Sequence, residues 1–407
     1  MRIVTENELA AAFRSIDTDE PRVVVSGNYA SPLASMALLD AERARYRLFV
    51  LNAQSPWPCR EGVVTETPFV GPGVRGARGL RYVPARLSLV PTLFHRGFEP
   101  DVVIVQTSPR RHDKVSLGIE VNILPAAIEA TRRRGGLVIA QMNPQMPFTF
   151  GDGEIDIDEI DLAIEVDVPL ASPVAAVIDD TARSIGEQVA RFVDNGATLQ
   201  LGIGAVPDAA ISQLSDRQNL GAWSEMVSDG ILELEWRGAL DQHRPITCSF
   251  LFGSSELYRW ANENERLLLR RTEVVNDPAQ IESRGALISI NTAIQVDLYA
   301  QANAAFVGGR IYSGFGGQPD FVAGALHSPG GHAIIALRSW HDKTDTSRVV
   351  SLLDAPVTSF QHSVILSEHG AAEIFGRTRA EQCELIIEHV ADPRARPALR
   401  DAAGDLN

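Results

Sequence analysis

The chain has 407 residues, room for two domains of ordinary size, and at 45 % apolar and 22 % charged it has the balance of a globular enzyme, not a fibrous or disordered chain. Its formal net charge of -15 argues against a nucleic-acid partner, because phosphate contacts require a basic face, although a nucleotide-bearing substrate needs only a local pocket. No apolar run reaches the roughly 20 residues that cross a bilayer, the start Met1-Arg2-Ile3-Val4-Thr5-Glu6 leads into no signal-peptide core, and Cys59, Cys248 and Cys383 are too widely spaced for a disulfide framework or a metal motif, so buried thiols in a reducing cytoplasm are expected.

Along the first half, Val23-Val24-Val25-Ser26-Gly27, Asp101 to Gln106 and Gly136 to Gln141 are predicted strands. Continuous apolar runs of this kind suit parallel strands covered on both faces. Helical stretches over Leu33 to Tyr46 and Leu124 to Arg134 lie between them, and strands alternating with helices imply an α/β layer fold. Pro169 to Ala175, two prolines among small residues, has the character of a linker. The pattern then restarts with an amphipathic helix over Ile185 to Asn195, a short strand Thr198-Leu199-Gln200-Leu201, and later strands over Ala333 to Leu337 and Ser363 to Leu366. The expected architecture is two tandem α/β domains with mainly parallel sheets, residues 1–180 and 181–407. A tail from Pro393 to Asn407 is predicted to be a surface helix with a frayed end.

Two glycine loops and one carboxylate carry the chemistry. The first loop, Leu201-Gly202-Ile203-Gly204-Ala205-Val206-Pro207, follows the short strand and leads into a helix start at Asp208. Glycine lets backbone approach a ligand closely, and N–H groups at a helix start receive electron-rich groups. Gly-x-Gly loops are common, and this one is a weak signal alone. The second loop, Ser313-Gly314-Phe315-Gly316-Gly317-Gln318-Pro319-Asp320-Phe321, is either a tight turn between strands or an oxyanion site built from the N–H groups of Gly316 and Gly317. Between the loops lies Glu225, in Trp223-Ser224-Glu225-Met226-Val227-Ser228-Asp229-Gly230. A glutamate met alone is ordinarily a solvated or capping carboxylate. Set between two loops of backbone donors, it is what covalent acyl transfer through a carboxylate requires.

These blocks resemble the acetyl-CoA hydrolase/transferase family, class I coenzyme A transferases. The likeness extends through Val105-Gln106-Thr107-Ser108-Pro109 with Ser116-Leu117-Gly118, Gln141-Met142-Asn143-Pro144-Gln145-Met146-Pro147, Val275-Asn276-Asp277-Pro278 and Ser289 to Asp297, all in family order. The resemblance implies that Glu225 is the nucleophile, with Gly316 and Gly317 as oxyanion donors. It places Gly202, Ile203, Gly204, Ala205 and Val206 along the CoA thiol and pantetheine arm, with Gly314 and Gln318 beside them. Asn276 and Asn291 would bring amide groups near the reacting centre; as plain residues, both are equally loop-capping side chains. Acyl-CoA and a small carboxylate are the implied substrates, with no tightly bound cofactor, no metal, and a homodimer or higher homo-oligomer as the assembly. Trp223 stands where relatives commonly have His, a glycine turn is shortened to Arg110-Arg111-His112-Asp113-Lys114, and Arg338 to Asp342 and Gln361 to Gly370 depart from the usual wording. These departures bear on which acyl group is accepted.

Other patterns lead elsewhere. Gly71-Pro72-Gly73-Val74-Arg75-Gly76 matches a dinucleotide fingerprint as a string but lacks a preceding strand. The acidic run from Asp152 to Asp161 lacks the glycine and register of a calcium loop. His112, His341 and His369 belong to no metal motif, and no Gly-x-Ser-x-Gly elbow supports a serine hydrolase. The expected function is CoA transfer between short acyl carboxylates. Acyl-CoA hydrolysis at the same residues and a silent CoA-binding protein are the alternatives.

Overall fold

A computed structural model describes residues 1–174, 176–202, 204–355, 357 and 361–405. The chain forms two compact units, Met1–Pro173 with Ile246–Val275 and Val174–Pro245 with Asn276–Asn407. One boundary near residue 180 accounts only for the first crossing; the chain later returns to the first unit.

The first unit is built on an eight-stranded, wholly parallel sheet. Its strands are β1 (Arg2–Ile3), β2 (Arg22–Val25), β3 (Tyr46–Phe49), β4 (Val63–Thr67), β5 (Leu80–Tyr82), β6 (Val102–Thr107), β7 (Leu137–Met142) and β8 (Leu162–Glu165), in the order β1-β8-β7-β6-β2-β3-β4-β5. Every residue of β6 is buried, as a strand covered on both faces demands. The helix predicted to reach Tyr46 ends at Glu42 (α1, Leu33–Glu42), because Tyr46 is buried and opens β3. Arg47, bonded to Glu20, breaks the apolar run of β3 and hides it from a hydropathy reading. Helix α2 covers Leu124–Arg133. The returning segment adds two strands, Ile246–Cys248 and Leu267–Leu269, the second pairing with Phe150–Gly151.

The second unit carries β9 (Thr198–Leu201), β10 (Gly221–Ala222), β11 (Leu287–Thr292), β12 (His332–Ala336), β13 (Val364–Ser367) and β14 (Gly370–Glu373), in the order β10-β9-β11-β12-β13-β14. All neighbours are parallel except the edge pair β13–β14. From β9 the chain steps outward to β10, then returns to place β11 on the other side of β9. In open α/β sheets this reversal of order opens a ligand crevice at the carboxyl ends of the two strands. The unit's helices include α3 (Asp180–Ala190), α4 (Ala205–Ser212), α5 (Pro278–Glu282), α6 (Gln318–His327), α7 (Arg379–His389) and α8 (Arg396–Asp405), with a further helix over Asp229–Trp236.

Helix α3 starts and ends about a turn before the predicted Ile185–Asn195, because Asp179 caps it by accepting the Ala182 N–H. It crosses α4 at Gly186, where a Cβ would lie 2.7 Å from the Ala209 carbonyl carbon. Helix α7 helps close one apolar core through Ile386 and Ile387, which join Ile335 and Ile365 of the sheet. Cys248 is buried as expected, whereas Cys59 is exposed and Cys383 only partly covered: Cys59 lies in the irregular segment between β3 and β4, away from the strands that fill the core.

Candidate active site

Glu225 is placed by the residues before it. Trp223 donates its N–H to the Leu199 carbonyl, extending the β10 pairing past Ala222. The Ser224 hydroxyl then accepts the Leu201 N–H at 3.2 Å and donates to the Leu201 carbonyl at 3.3 Å. This side chain closes the end of β9 and sets Glu225 at the carboxyl edge of the sheet. The Arg284 guanidinium stacks 3.9 Å from the Trp223 ring centroid and fixes that indole.

The Glu225 carboxyl is clamped from two sides. Its Oε2 accepts from Asn276 Nδ2 at 3.0 Å, and the Gly317 N–H also donates to the carboxyl. A Cβ on Gly317 would lie 1.9 Å from Glu225 Oε2 and 2.2 Å from Asn276 Nδ2, so no residue but glycine fits. Glu225 keeps partial exposure. Its surroundings push the carboxyl up to about 7. Burial is the main cause and the Asp320 charge adds to it, while the Asn276 and Gly317 bonds oppose both.

The second glycine loop turns into α6 on two backbone conformations that suit glycine, Gly314 at φ 149 and Gly316 at φ 54. Gly317 caps the helix and its carbonyl accepts from Asp320 and Phe321. The Gly316 N–H has no partner among the described residues. Asn276 is fully buried with its Oδ1 unbonded, and Gln318 Nε2 is likewise buried without a partner. Asp277, not Asn276, caps the helix that follows.

Gly202 closes the first loop onto β11 by donating to the Ile290 carbonyl at 3.1 Å, and Gly204, at φ 113, opens α4 with Ala205 and Val206 in its first turn. The Ile203 assignment falls outside the described residues. Among the described residues no hydrogen bond joins Asn291 to Glu225; Asn291 bonds to Gln200 and Ser289. Glu225, Asn276 and Gly317 therefore meet directly, Gly314, Gly316 and Gln318 share the second loop, and Gly202 and Asn291 lie at the carboxyl ends of β9 and β11. Reading the residues singly had not marked Ser224, Asp320, Gln200 or Ser289 as part of the site. Their signal was a polar or charged residue inside an otherwise apolar, buried run.

The other patterns form ordinary structure. Pro72–Val74 is a single turn of 3-10 helix, and the acidic run contributes the strand Glu154–Asp156 and a short turn. Among the described residues no cluster of His, Cys, Asp or Glu could hold a metal ion, and no helix is long and apolar enough to cross a membrane.

Residues 66–177 match the N-terminal domain of acetyl-CoA hydrolases and transferases, and residues 253–403 match the C-terminal domain. The 4-hydroxybutyrate coenzyme A transferase of Clostridium kluyveri is 37 % identical over 330 residues, 78 % of this chain and 76 % of that protein. The chain belongs to the acetyl-CoA hydrolase/transferase family. A succinyl-CoA:acetate/propanoyl-CoA:succinate CoA transferase of Fasciola hepatica is 32 % identical over 95 % of this chain and 85 % of its own. The crystal structure of RipA from Yersinia pestis superposes with a TM-score of 0.92 at 28 % identity, covering 100 % of this chain and 97 % of that one. The two-unit, mainly parallel α/β architecture is thus that of class I CoA-transferases, and CoA-transferase chemistry is the family's trade.

Proposed function

We propose that the protein moves CoA between a short-chain acyl-CoA and a carboxylate by a ping-pong route through Glu225. The observation that carries this reading is the clamped carboxyl, with Oε2 held by Asn276 and the side chain still partly exposed. A carboxylate oxygen of Glu225 attacks the thioester carbonyl, the C–S bond breaks, and a mixed anhydride and CoA thiolate result. The thiolate adds to the glutamyl carbonyl, expels the first carboxylate, and leaves a glutamyl-CoA thioester. A second carboxylate reverses these steps and departs as the new acyl-CoA. No proton, metal or ATP is required, because each leaving group is an anion that the next step uses.

A carboxylate is a poor nucleophile toward a thioester, so position and charge stabilisation must supply most of the rate. The Asn276 and Gly317 bonds fix the attacking group. The unengaged Gly316 N–H, at the mouth of α6, is suited to the oxygen of the tetrahedral intermediate. Gly202, Gly204, Ala205 and Val206 supply the backbone surface for the thiol arm.

The test is direct. Purified protein is given acetyl-CoA with a series of carboxylates, and new acyl-CoA is followed. Borohydride added after acyl-CoA should reduce the activated side chain and mark Glu225. Glu225→Ala is expected to abolish exchange while CoA still binds, and Glu225→Asp to lose roughly 10²-fold or more through the withdrawn oxygen. Full activity in Glu225→Ala rejects the assignment. Thiol release without any added carboxylate would show hydrolysis at this site instead, and CoA binding with no mark on Glu225 a binding protein.

A further inference from the structure

Between Glu66 and Glu99 the chain has no acidic residue, the longest such stretch in the sequence, and it carries Arg75, Arg78, Arg81, Arg86 and Arg96. The surplus is local, since the chain as a whole stands at -15. Four of these arginines gather on β5, the outermost strand of the first unit's sheet. Arg75 and Arg78 lie in the connection that leads into β5, Arg81 is its middle residue, and Arg86 follows its end. All four are exposed. A strand rises roughly 3.3 Å per residue, which sets Arg78 and Arg81 within about 10 Å of each other.

The acids at either end of the stretch do not neutralise this strip. Glu66, the register partner of Arg81 on β4, is 4 % exposed and held by Arg22 Nε at 2.7 Å. Glu99 accepts the Gly97 N–H at 3.0 Å. Arg78 and Arg81 form no ion pair among the described residues; Arg75 and Arg86 have contacts of their own and still add charge. Other exposed arginines of this unit do find a carboxylate: Arg45 takes Glu20, Arg60 takes Asp40, and Arg132 takes Asp161.

An acidic protein repels a polyanion, and at physiological salt the field of a charge reaches only about 8 Å. A local basic strip therefore decides whether phosphates can settle. CoA carries its phosphates on the nucleotide end, remote from the thiol. Gly202, Gly204, Ala205 and Val206, assigned to the thiol arm, bring no cation, so the phosphates call for a counter-charge elsewhere. Guanidinium forks match phosphate oxygens.

We propose that the arginine strip along β5 is a phosphate-collecting surface that captures the nucleotide end of CoA. The inference rests on the CoA reading above. Free adenine nucleotides bring the same chemistry, and the experiment separates the two.

The full chain is given acetyl-CoA, or acetyl-pantetheine, which lacks the phosphates, at low and high salt, and CoA affinity is measured by calorimetry. Arg78→Glu combined with Arg81→Gln is expected to weaken CoA binding and lower kcat/KM for acetyl-CoA roughly 10-fold at low salt, through KM, with the loss fading as salt screens the strip. Acetyl-pantetheine should react equally with both proteins. Arg78→Lys combined with Arg81→Lys keeps the charge and should keep most of the affinity. An unmoved kcat/KM for acetyl-CoA, or an equal loss with acetyl-pantetheine, overturns the proposal. Lost binding of adenosine 3′,5′-bisphosphate beside an unmoved kcat/KM for acetyl-CoA assigns the strip to a free nucleotide and overturns capture of CoA. If the arginines only keep an open sheet edge from pairing with another, the substituted protein self-associates on gel filtration with CoA affinity unchanged, which also overturns it. If CoA binds through the strip yet no carboxylate exchanges, the reading at Glu225 fails and the strip stands.

Discussion

A glycine and an asparagine decide what Glu225 can do. Gly317 stands so close that its missing Cβ is what admits the carboxyl oxygen, at 1.9 Å from where that carbon would be. Gly317→Ala is expected to displace the carboxyl and cut kcat by roughly 10²-fold or more, read in a carboxylate exchange assay. The protonation state of Glu225 adds a pH signature. The carboxylate is the reactive form, so a carboxyl raised to about 7 loses activity as pH falls through that value, and log kcat/KM should drop with unit slope below it. Asn276→Leu removes a bond that favours the charged form and should move the break to higher pH. The second loop stood out in the sequence because three of the four positions 314–317 are glycine, and that set Glu225 apart as a candidate. The Asn276–Glu225 bond spans 51 positions; no periodicity records a contact of that reach, and only the family resemblance suggested it.

At the scale of elements, the crevice depends on where α4 begins. Helix α4 carries Gly204, Ala205 and Val206, and it is seated by the close crossing with α3 at Gly186. Gly186→Val should cost about 1–3 kcal/mol by overpacking, measured by chemical denaturation, and should also raise KM for acyl-CoA as α4 shifts. Strands β2, β6, β7, β12 and β13 were readable because a doubly covered parallel strand is a continuous apolar run. Strand β3 was not, since Arg47 interrupts it and forms its ion pair with Glu20 only once folded. The ends of α1 and α3 were misjudged for a related reason. A buried Tyr46 and a capping Asp179 fix them, and both act through tertiary contacts or single side chains that hydrophobic periodicity does not weigh.

For the molecule as a whole, the path of the chain matters more than its two-part division. Val174 and Val177, at the first crossing, are 97 % and 84 % exposed, which offers a protease its site. A nick there leaves Ile246–Val275 on the C-terminal fragment, although Leu267–Leu269 pairs with Phe150–Gly151 of the other. The two pieces should therefore co-elute on gel filtration and separate only in denaturant; free elution of the N-terminal piece would contradict the pairing. The sequence suggested a single joint because linker composition marks only the first crossing, while those at Pro245–Ile246 and Val275–Asn276 lie within ordinary loop and helix text. The same winding sets a rule for recombining relatives. A hybrid gene joined once near residue 174 would ask a foreign β-segment to complete the native first unit, so a workable chimera needs three splice points, and the last of them falls immediately before the asparagine that grips the nucleophile.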